Sequence, residues 1–155
     1  MIKMLQYPKN HISQVKYWKS IAEKALIEVY RKVSKESALK LASITSEKED
    51  FPKDISTELD KYIGEIIRNF FEKNKVFVRL CSEEFGDLDI GNIPDVTVFL
   101  DELDGTANVF HKIPLFATTI AILNGVQDLR VDKIIAAATL EFPKGTIFFS
   151  RERVR

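Results

Sequence analysis

The sequence predicts an α+β fold in which two N-terminal helices pack on a mainly antiparallel sheet of about five to six strands. Three observations support this prediction. Two segments with apolar residues at helical spacing come first, at residues 13–33 and 57–73. Short runs rich in β-branched and aromatic residues follow them. Helices grouped before strands are the order of an α+β domain, and 155 residues is the length of one domain.

The two helices are predicted from apolar stripes. Between Val15 and Val33 apolar residues recur three and four positions apart, and most charged residues fall off this stripe. The second stripe starts after Thr57, which forms a capping-box-like pair with Asp60 three residues later. Residues 45–55 between the helices are polar, contain a proline and show no period, so we predict a mobile loop there.

The chain after Asn74 has the composition of β-strands. The tetrad Phe142-Pro143-Lys144-Gly145 predicts a hairpin between the last two strands. Residues 82–92 are polar and are predicted as a loop, whereas residues 107–114 could begin as a helical turn. The predicted strands are residues 76–81, 96–100, 115–123, 134–142 and 146–150.

The composition excludes several classes of protein. The formal net charge is zero, which argues against a general nucleic-acid or membrane-surface binder. No apolar run approaches the length of a membrane span, and the N-terminal residues lack the apolar region of a signal peptide. Cys81 is the sole cysteine, which fits a reducing cytoplasm. Abundant Lys, Glu and Ile with scarce Gln favour a thermophilic source.

The clearest candidate for chemistry is the motif D-x-x-D-G-T at residues 101–106, directly after a predicted strand. Asp101 and Asp104 at a strand end can both face one hard cation, and Mg²⁺ prefers such oxygen ligands. Gly105 permits close backbone approach to a ligand, and the amides of Gly105, Thr106 and Ala107 would begin a helical turn suited to an anion. The alternative is an ordinary Asp-Gly turn.

Further acidic residues could join this site. Glu83 and Glu84 follow the first predicted strand as Asp101 follows the second, so parallel pairing would gather them at one edge of the sheet. A cation between the clusters would relieve their repulsion. A solvated acidic loop is the alternative for the two glutamates. For Asp60 the alternative is helix capping.

The remaining reactive side chains show no pattern that predicts a site. Asp87 and Asp89 fail the spacing of a calcium loop. His11 and His111 lack the partners of a zinc site or a triad. His111 is near enough to the motif to contact substrate, although a structural or solvated histidine is the commoner case. Cys81, within an apolar run, is interpreted as a core residue.

Taken together, the segments from Val15 to Ser150 resemble the inositol monophosphatase and fructose-1,6-bisphosphatase superfamily of Mg²⁺-dependent phosphatases. The resemblance rests on the order of its pieces: a long helix, a loop, a helix opening with Thr-x-x-Asp, a strand ending in Ser-Glu-Glu, and a strand ending in D-x-x-D-G-T. Asn108-Val109-Phe110, the segment 113–117 and the hairpin segment 144–148 also look like the family's. This resemblance implies the N-terminal half of the sugar phosphatase αβαβα sandwich.

The resemblance also implies roles for particular residues. Glu84 would bind the first of two or three Mg²⁺ ions, and Asp101 would bridge two ions. The Leu103 carbonyl and Asp104 would be further ligands, while Gly105 and Thr106 would hold the phosphate. The Thr106 hydroxyl, paired with Asp60, would orient or deprotonate the attacking water. Glu58 is an alternative match for Asp60.

The sequence departs from the family in three respects, the first being the ambiguous match of Asp60 or Glu58. Glu102 stands where the family usually has proline, which would add a negative charge beside the metals and loosen a rigid turn. The chain resembles a single N-terminal metal- and phosphate-binding domain, residues 1–155, without the family's C-terminal domain. We therefore predict either a phosphatase acting on an inositol or sugar phosphate such as fructose 1,6-bisphosphate, or a catalytically inactive metal- or phosphate-binding or interaction domain. An exposed apolar sheet face would then favour a homo-oligomer.

Overall fold

The computed structural model describes residues 11–35, 44–47 and 55–150, and within these it leaves the side chains of residues 35, 44–47, 55–57 and 110 undescribed. The helices are α1 (His11–Lys35), α2 (Glu58–Lys73) and the short α3 (Thr106–Phe110). The strands are β1 (Ile44–Glu47), β2 (Ile55–Thr57), β3 (Val78–Ser82), β4 (Gly86–Ile90), β5 (Val96–Asp104), β6 (Phe116–Asn124), β7 (Ile134–Phe142) and β8 (Thr146–Phe149). A 3-10 turn, Val131–Lys133, precedes β7.

Six of the strands form one mixed sheet in the order β4-β3-β5-β6-β7-β8. The pair β3 and β5, second and third in this order, is parallel, whereas the other neighbouring strands in this sheet are antiparallel. The parallel pair matters for function because it brings the carboxyl ends of both strands to one edge. The α+β prediction, with two long helices before a mainly antiparallel sheet, is confirmed.

The hydrophobic core lies between the two long helices and one face of this sheet. Apolar stripes on α1 and α2 supply Trp18, Leu26, Ile63 and Phe71, all with at most 1% of their surface exposed. The strands alternate in burial, so every second side chain of β6 and β7 enters this core. The burial of these apolar side chains is the main force that holds the helices on the sheet.

Two segments predicted as loops contain strands. Ile44–Glu47 and Ile55–Thr57 pair antiparallel, while residues 48–54 of the predicted loop lie outside the described residues. Gly86–Ile90 pairs with β3 as an edge strand. In this strand Asp87 and Asp89 alternate with Leu88 and Ile90, which is the pattern of a strand with one face in solvent. The sequence predicts a loop here because the two aspartates make the segment polar.

In the part of the chain that the structure describes, no helix is long and apolar enough to cross a membrane.

Candidate active site

The site lies where the parallel strands β3 and β5 end side by side. Ser82 is the last residue of β3 and lies opposite Leu100, so the Glu83-Glu84 turn begins next to Asp101. The sequence predicted that these acidic groups gather at one edge if the two strands run parallel. The parallel register shows that they do.

A bulge in β5 gives Asp101 and Asp104 their placement. Asp101 pairs with Thr119 and Asp104 with Ala117, so β5 holds one more residue than β6 over this stretch. In a regular strand, side chains three residues apart point to opposite faces. With the bulge, both aspartates are exposed and the two residues between them are buried. The motif spacing D-x-x-D therefore matches a bulged strand end.

Threonine hydroxyls bind the backbone carbonyls of the bulge. Thr118 Oγ1 donates to the Glu102 carbonyl over 2.8 Å, and Thr106 Oγ1 donates to the Leu103 carbonyl over 2.9 Å. Both carbonyls belong to the residues that the bulge removes from the regular ladder. The bulge is thus held by specific partners, as buried backbone groups require.

Gly105 makes the turn from β5 into α3. Its φ is +98°, and a Cβ there would lie 3.1 Å from the Leu115 carbonyl oxygen. Other residues adopt this left-handed conformation only with strain. The Gly105 carbonyl accepts the amides of Asn108 and Val109, and the Asn108 side chain donates to Leu115 over 2.7 Å. The predicted helical turn after the motif is confirmed as α3.

Asp101 lies in a field of negative charge. Its pKa is raised, mainly because the carboxyl is partly buried and then because Asp104, Glu83 and Asp60 carry like charges nearby. The raised pKa means that ionisation of Asp101 is less favourable than that of an ordinary aspartate. A bound cation would oppose all of these repulsions at once.

Asp60 and Thr106 form the second part of the site. Asp60 lies in the first turn of α2, is 5% exposed, and has its Oδ1 3.3 Å from Thr106 Oγ1. A hydroxyl has one proton, so Thr106 cannot donate fully to both Asp60 and the nearer Leu103 carbonyl. The structure places Asp60 beside Thr106, whereas Glu58 is exposed.

The two adjacent glutamates affect the pKa of different carboxyl groups. Glu83 is exposed, and its negative charge helps to raise the pKa of Asp101. Glu84 is half-buried, and its negative charge helps to raise the pKa of Glu102. The role implied for Glu84 therefore has a second candidate in Glu83. Sequence could not separate the two, because both belong to a turn and strand alternation does not order them.

Glu102 does not sit among the exposed carboxylates as the sequence suggested. It is 1% exposed, its side chain accepts a hydrogen bond from Ser82, and burial raises its pKa to about 7. Strand alternation next to the bulge turns it away from Asp101 and into the core. The expectation that Glu102 adds a negative charge beside the metals is thus wrong, because its side chain is buried on the other side of β5.

The other candidates lie apart from this cluster. Asp89 pairs with Arg79 at 2.7 Å on the edge of the sheet, and Asp87 is exposed. Burial and a hydrogen bond to Asp87 raise the pKa of Cys81 to about 11, so its thiol is protonated and is not a nucleophile at neutral pH. His111 is exposed at the C-terminal cap of α3, and His11 is exposed at the start of α1.

The donor atoms of the site are all oxygen, as Mg²⁺ requires. Asp101, Asp104 and Glu83 are carboxylates, and the Leu103 carbonyl lies between the two aspartates in sequence. Among the residues that the structure describes, no three His, Cys, Asp or Glu side chains form a preassembled metal cluster. The chemistry of the donors and the repulsion at Asp101 nevertheless fit a hard divalent cation.

Comparisons with known proteins identify the fold. The chain is 31% identical over 110 residues to fructose-1,6-bisphosphatase/inositol-1-monophosphatase of Thermococcus kodakarensis, an alignment covering 70% of this chain and 40% of that protein. The solved structure of a Pyrococcus horikoshii protein with similarities to inositol-1 monophosphatase matches with a TM-score of 0.67 at 27% identity. That of the extragenic suppressor protein SuhB from Bartonella henselae matches with a TM-score of 0.63 at 25% identity.

The coverage of these matches is one-sided. The two structural matches cover 90% and 93% of this chain, but 50% of each of the other chains. The chain therefore spans about half the length of its solved relatives, and 40% of the Thermococcus protein. No family model matches the chain.

The fold is an α+β sheet of the kind found in the sandwich folds of inositol monophosphatases and fructose-1,6-bisphosphatases, with acidic residues at the ends of its parallel strands. The chain belongs to the inositol monophosphatase/fructose-1,6-bisphosphatase superfamily of phosphatases, and it spans about half the length of the solved relatives that it matches.

Proposed function

We propose that this chain provides the Mg²⁺- and phosphate-binding part of a phosphatase that hydrolyses a phosphate monoester of inositol or of a sugar such as fructose 1,6-bisphosphate. The observation that carries this proposal is the bulged end of β5, which exposes Asp101 and Asp104 next to the Asp60–Thr106 pair. Membership of a phosphatase superfamily supports the reaction class. The substrate is inferred from the names of relatives and is part of the proposal.

The metal ligands would be oxygen atoms from three segments. Asp101, Asp104 and the Leu103 carbonyl come from β5, and a glutamate comes from the Glu83-Glu84 turn. We include both glutamates, because Glu83 is the one that acts on Asp101. Mg²⁺ bound there, as two or three ions, would supply an acidified water and neutralise charge on the leaving oxygen.

Thr106 and Asp60 would handle the proton of the attacking water. The Thr106 hydroxyl can accept a hydrogen bond from water while it donates its own proton to Asp60, 3.3 Å away. Asp60 is 5% exposed, so this contact is shielded from competing solvent. Such a pair orients the water and draws its proton towards a carboxylate.

The substrate phosphate would bind at the turn into α3. The first amides of a helix have no partners within that helix, and Gly105 directly follows the exposed Asp104. Gly105 and Thr106 are the residues we assign to the phosphate. A metal and these amides would then contact the same phosphate group.

We further propose that residues 1–155 act as one metal- and phosphate-binding domain. The described helices and the six-stranded sheet share one hydrophobic core, which supports a single folding unit. The alternative function is a catalytically inactive domain that binds metal or phosphate or interacts with partners.

Phosphate release by the purified chain tests the proposal. Inositol 1-phosphate and fructose 1,6-bisphosphate are supplied with and without Mg²⁺, and Asp104→Asn is compared with Asp87→Asn, an exposed carboxylate on β4. We expect release that requires Mg²⁺, is lost in Asp104→Asn and persists in Asp87→Asn. No release, with Mg²⁺ binding retained, would favour the inactive binding domain. Loss of both would overturn the proposal.

Self-association through the outer face of the sheet is a further part of the proposal. Phe99 is 40% exposed and pairs with Ala121, which pairs with Ala137, and Phe148 on β8 is 57% exposed. This apolar row lies on the face opposite the helices. In sedimentation equilibrium we expect a dimer or larger species that Phe99→Glu dissociates and Ile93→Glu, off the sheet, leaves intact. A monomer of the unmodified chain would contradict the assignment.

A further inference from the structure

A buried contact outside the set of metal and phosphate residues joins the two acidic segments. Glu102 on β5 accepts a hydrogen bond from the hydroxyl of Ser82, the last residue of β3. Ser82 is 9% exposed and Glu102 is 1% exposed. The bond therefore connects the residue before Glu83 with a residue inside the D-x-x-D motif.

Ser82 also shapes the turn that follows it. Its Oγ accepts the backbone amide of Phe85 over 3.0 Å, which closes the turn that contains Glu83 and Glu84. One hydroxyl thus donates to Glu102 and accepts from Phe85. This oxygen links the acidic turn to β5, in addition to the backbone pairing of β3 with β5.

Helix α2 is built to make room for the contact. A Cβ on Gly64 would lie 2.3 Å from the ring of Phe85 and 3.2 Å from Glu102 Oε1. A larger residue at position 64 would have to displace the Phe85 ring, and the Glu102 carboxyl group is also close to it. Three segments therefore meet at Gly64: α2, the acidic turn and the end of β5.

The buried Glu102 carboxyl group lowers the stability of the fold, which points to a role other than stabilisation. Among the described residues, Glu102 Oε2 is a buried side-chain oxygen with no hydrogen-bond partner. An unpartnered buried polar atom costs free energy, and an apolar residue at this position would avoid that cost.

We propose that the Ser82–Glu102 hydrogen bond positions the Glu83-Glu84 turn against Asp101 and Asp104 for binding a divalent cation. Ser82 and Glu102 are positioning residues in this proposal, not metal ligands. The proposal rests on the metal site of the proposed function. It extends that function by assigning a role to two residues that contact neither metal nor phosphate.

Binding of Mn²⁺ alone, followed by electron paramagnetic resonance, tests this role without catalysis. We expect Ser82→Ala and Glu102→Leu each to weaken Mn²⁺ binding by about 10-fold, the usual effect of removing a residue that orients a ligand. Glu102→Gln keeps an oxygen that accepts the Ser82 hydroxyl, so its affinity should stay near that of the unmodified chain. The double variant Ser82→Ala/Glu102→Leu should bind no more weakly than the weaker single variant.

Thr97→Val is the matched control. Thr97 on β5 is fully buried and donates to the Gly125 carbonyl over 2.8 Å, so its loss also removes a buried hydrogen bond. This contact is at the opposite end of β5, and Thr97→Val should leave Mn²⁺ affinity unchanged. If Thr97→Val and Ser82→Ala weakened Mn²⁺ binding equally, the Ser82–Glu102 contact would contribute only to the stability of the fold, and the proposal would be overturned. Weakening in Glu102→Gln as large as in Glu102→Leu would overturn it as well.

Amide hydrogen exchange in the metal-free chain separates this proposal from the metal site itself. Ser82→Ala should speed exchange of the Phe85 amide, while Thr97→Val should not. If the unmodified chain fails to bind Mn²⁺, the metal site of the proposed function fails. Faster exchange would then still support the link between the two segments, and unchanged exchange would refute it.

Discussion

Asp60 and Thr106 lie 46 residues apart in sequence, yet Asp60 Oδ1 and Thr106 Oγ1 are 3.3 Å apart. The contact joins the first turn of α2 to the first turn of α3, directly after the D-x-x-D motif. It places a buried carboxylate next to a hydroxyl that also contacts the Leu103 carbonyl. The proton of Thr106 therefore has two alternative acceptors, one of them a base.

Replacing Thr106 tests this pair. Thr106→Val keeps the shape of the side chain but removes both hydrogen bonds, so we expect Mg²⁺-dependent phosphate release to fall by about 10²–10⁴-fold. Thr106→Ser, which keeps the hydroxyl, should retain most of the activity. Rates at saturating substrate would be measured for both variants. A Thr106→Val rate equal to that of Thr106→Ser would show that the hydroxyl takes no part in catalysis.

The two glutamates of the turn should respond differently to substitution. Glu83 influences the charge of Asp101, and Glu84 influences that of Glu102. We therefore expect Glu83→Gln to raise the Mg²⁺ concentration needed for half-maximal phosphate release by about 10-fold or more, and Glu84→Gln to raise it less. Mg²⁺ titrations of both variants make the comparison. The reverse order would assign the metal to Glu84, as the family resemblance implies.

The pH dependence of stability should carry the signature of Glu102. Its pKa is raised by burial to about 7 in the folded chain. The folded state therefore binds this proton more tightly than the unfolded state does. Its stabilising effect is complete below the unfolded pKa and is lost as pH rises through about 7.

Urea unfolding in the presence of a chelator measures this effect. Between pH 5 and pH 8.5 we expect the free energy of unfolding to fall by on the order of 2 kcal/mol because of Glu102. Glu102→Gln cannot ionise, so its unfolding free energy should fall less over the same range. Asp101 and Asp95, whose pKa values are also raised, would contribute with the same sign. If the free energy of unfolding changed with pH equally in both proteins, ionisation of Glu102 would not destabilise the folded chain.

The sequence predicted the main elements of this fold because their patterns are strong and local. The apolar stripes of α1 and α2 run over many turns, and the predicted hairpin at Phe142–Gly145 joins β7 and β8. The edge strand Gly86–Ile90 escaped prediction because two of its five residues are aspartates. Its pairing with β3, including the Arg79–Asp89 contact, is a tertiary effect.

The sequence could predict which residues belong to the site better than it could predict how they are arranged. The motif spacing identified Asp101 and Asp104, but the bulge that turns both outward depends on pairing with β6. The same pairing turns Glu102 inward, which a reading of adjacent carboxylates cannot reveal. The contact between Asp60 and Thr106 likewise depends on how α2 docks on the sheet.

Gly105 offers a test of the turn that carries the phosphate-binding amides. Its φ of +98° disfavours any side chain, and a Cβ at this position would lie 3.1 Å from the Leu115 carbonyl oxygen. Gly86 is the matched control, because its φ is +67° but a Cβ there has no neighbour within 4 Å. Gly86→Ala should cost about 1–2 kcal/mol of unfolding free energy, the strain of the left-handed conformation alone. Gly105→Ala should cost more, because it adds a contact with backbone that cannot move aside.

The activities of the two variants should differ more sharply than their stabilities. Relief of strain at Gly105 would shift the amides of Gly105 and Thr106, so we expect phosphate release by Gly105→Ala to be lost or to require far more substrate. Gly86 lies at the start of β4, and Gly86→Ala should keep the substrate dependence of the unmodified chain. Urea unfolding and substrate titration on the same preparations would separate the two effects. Normal substrate dependence in a folded Gly105→Ala chain would mean that phosphate does not bind at this turn.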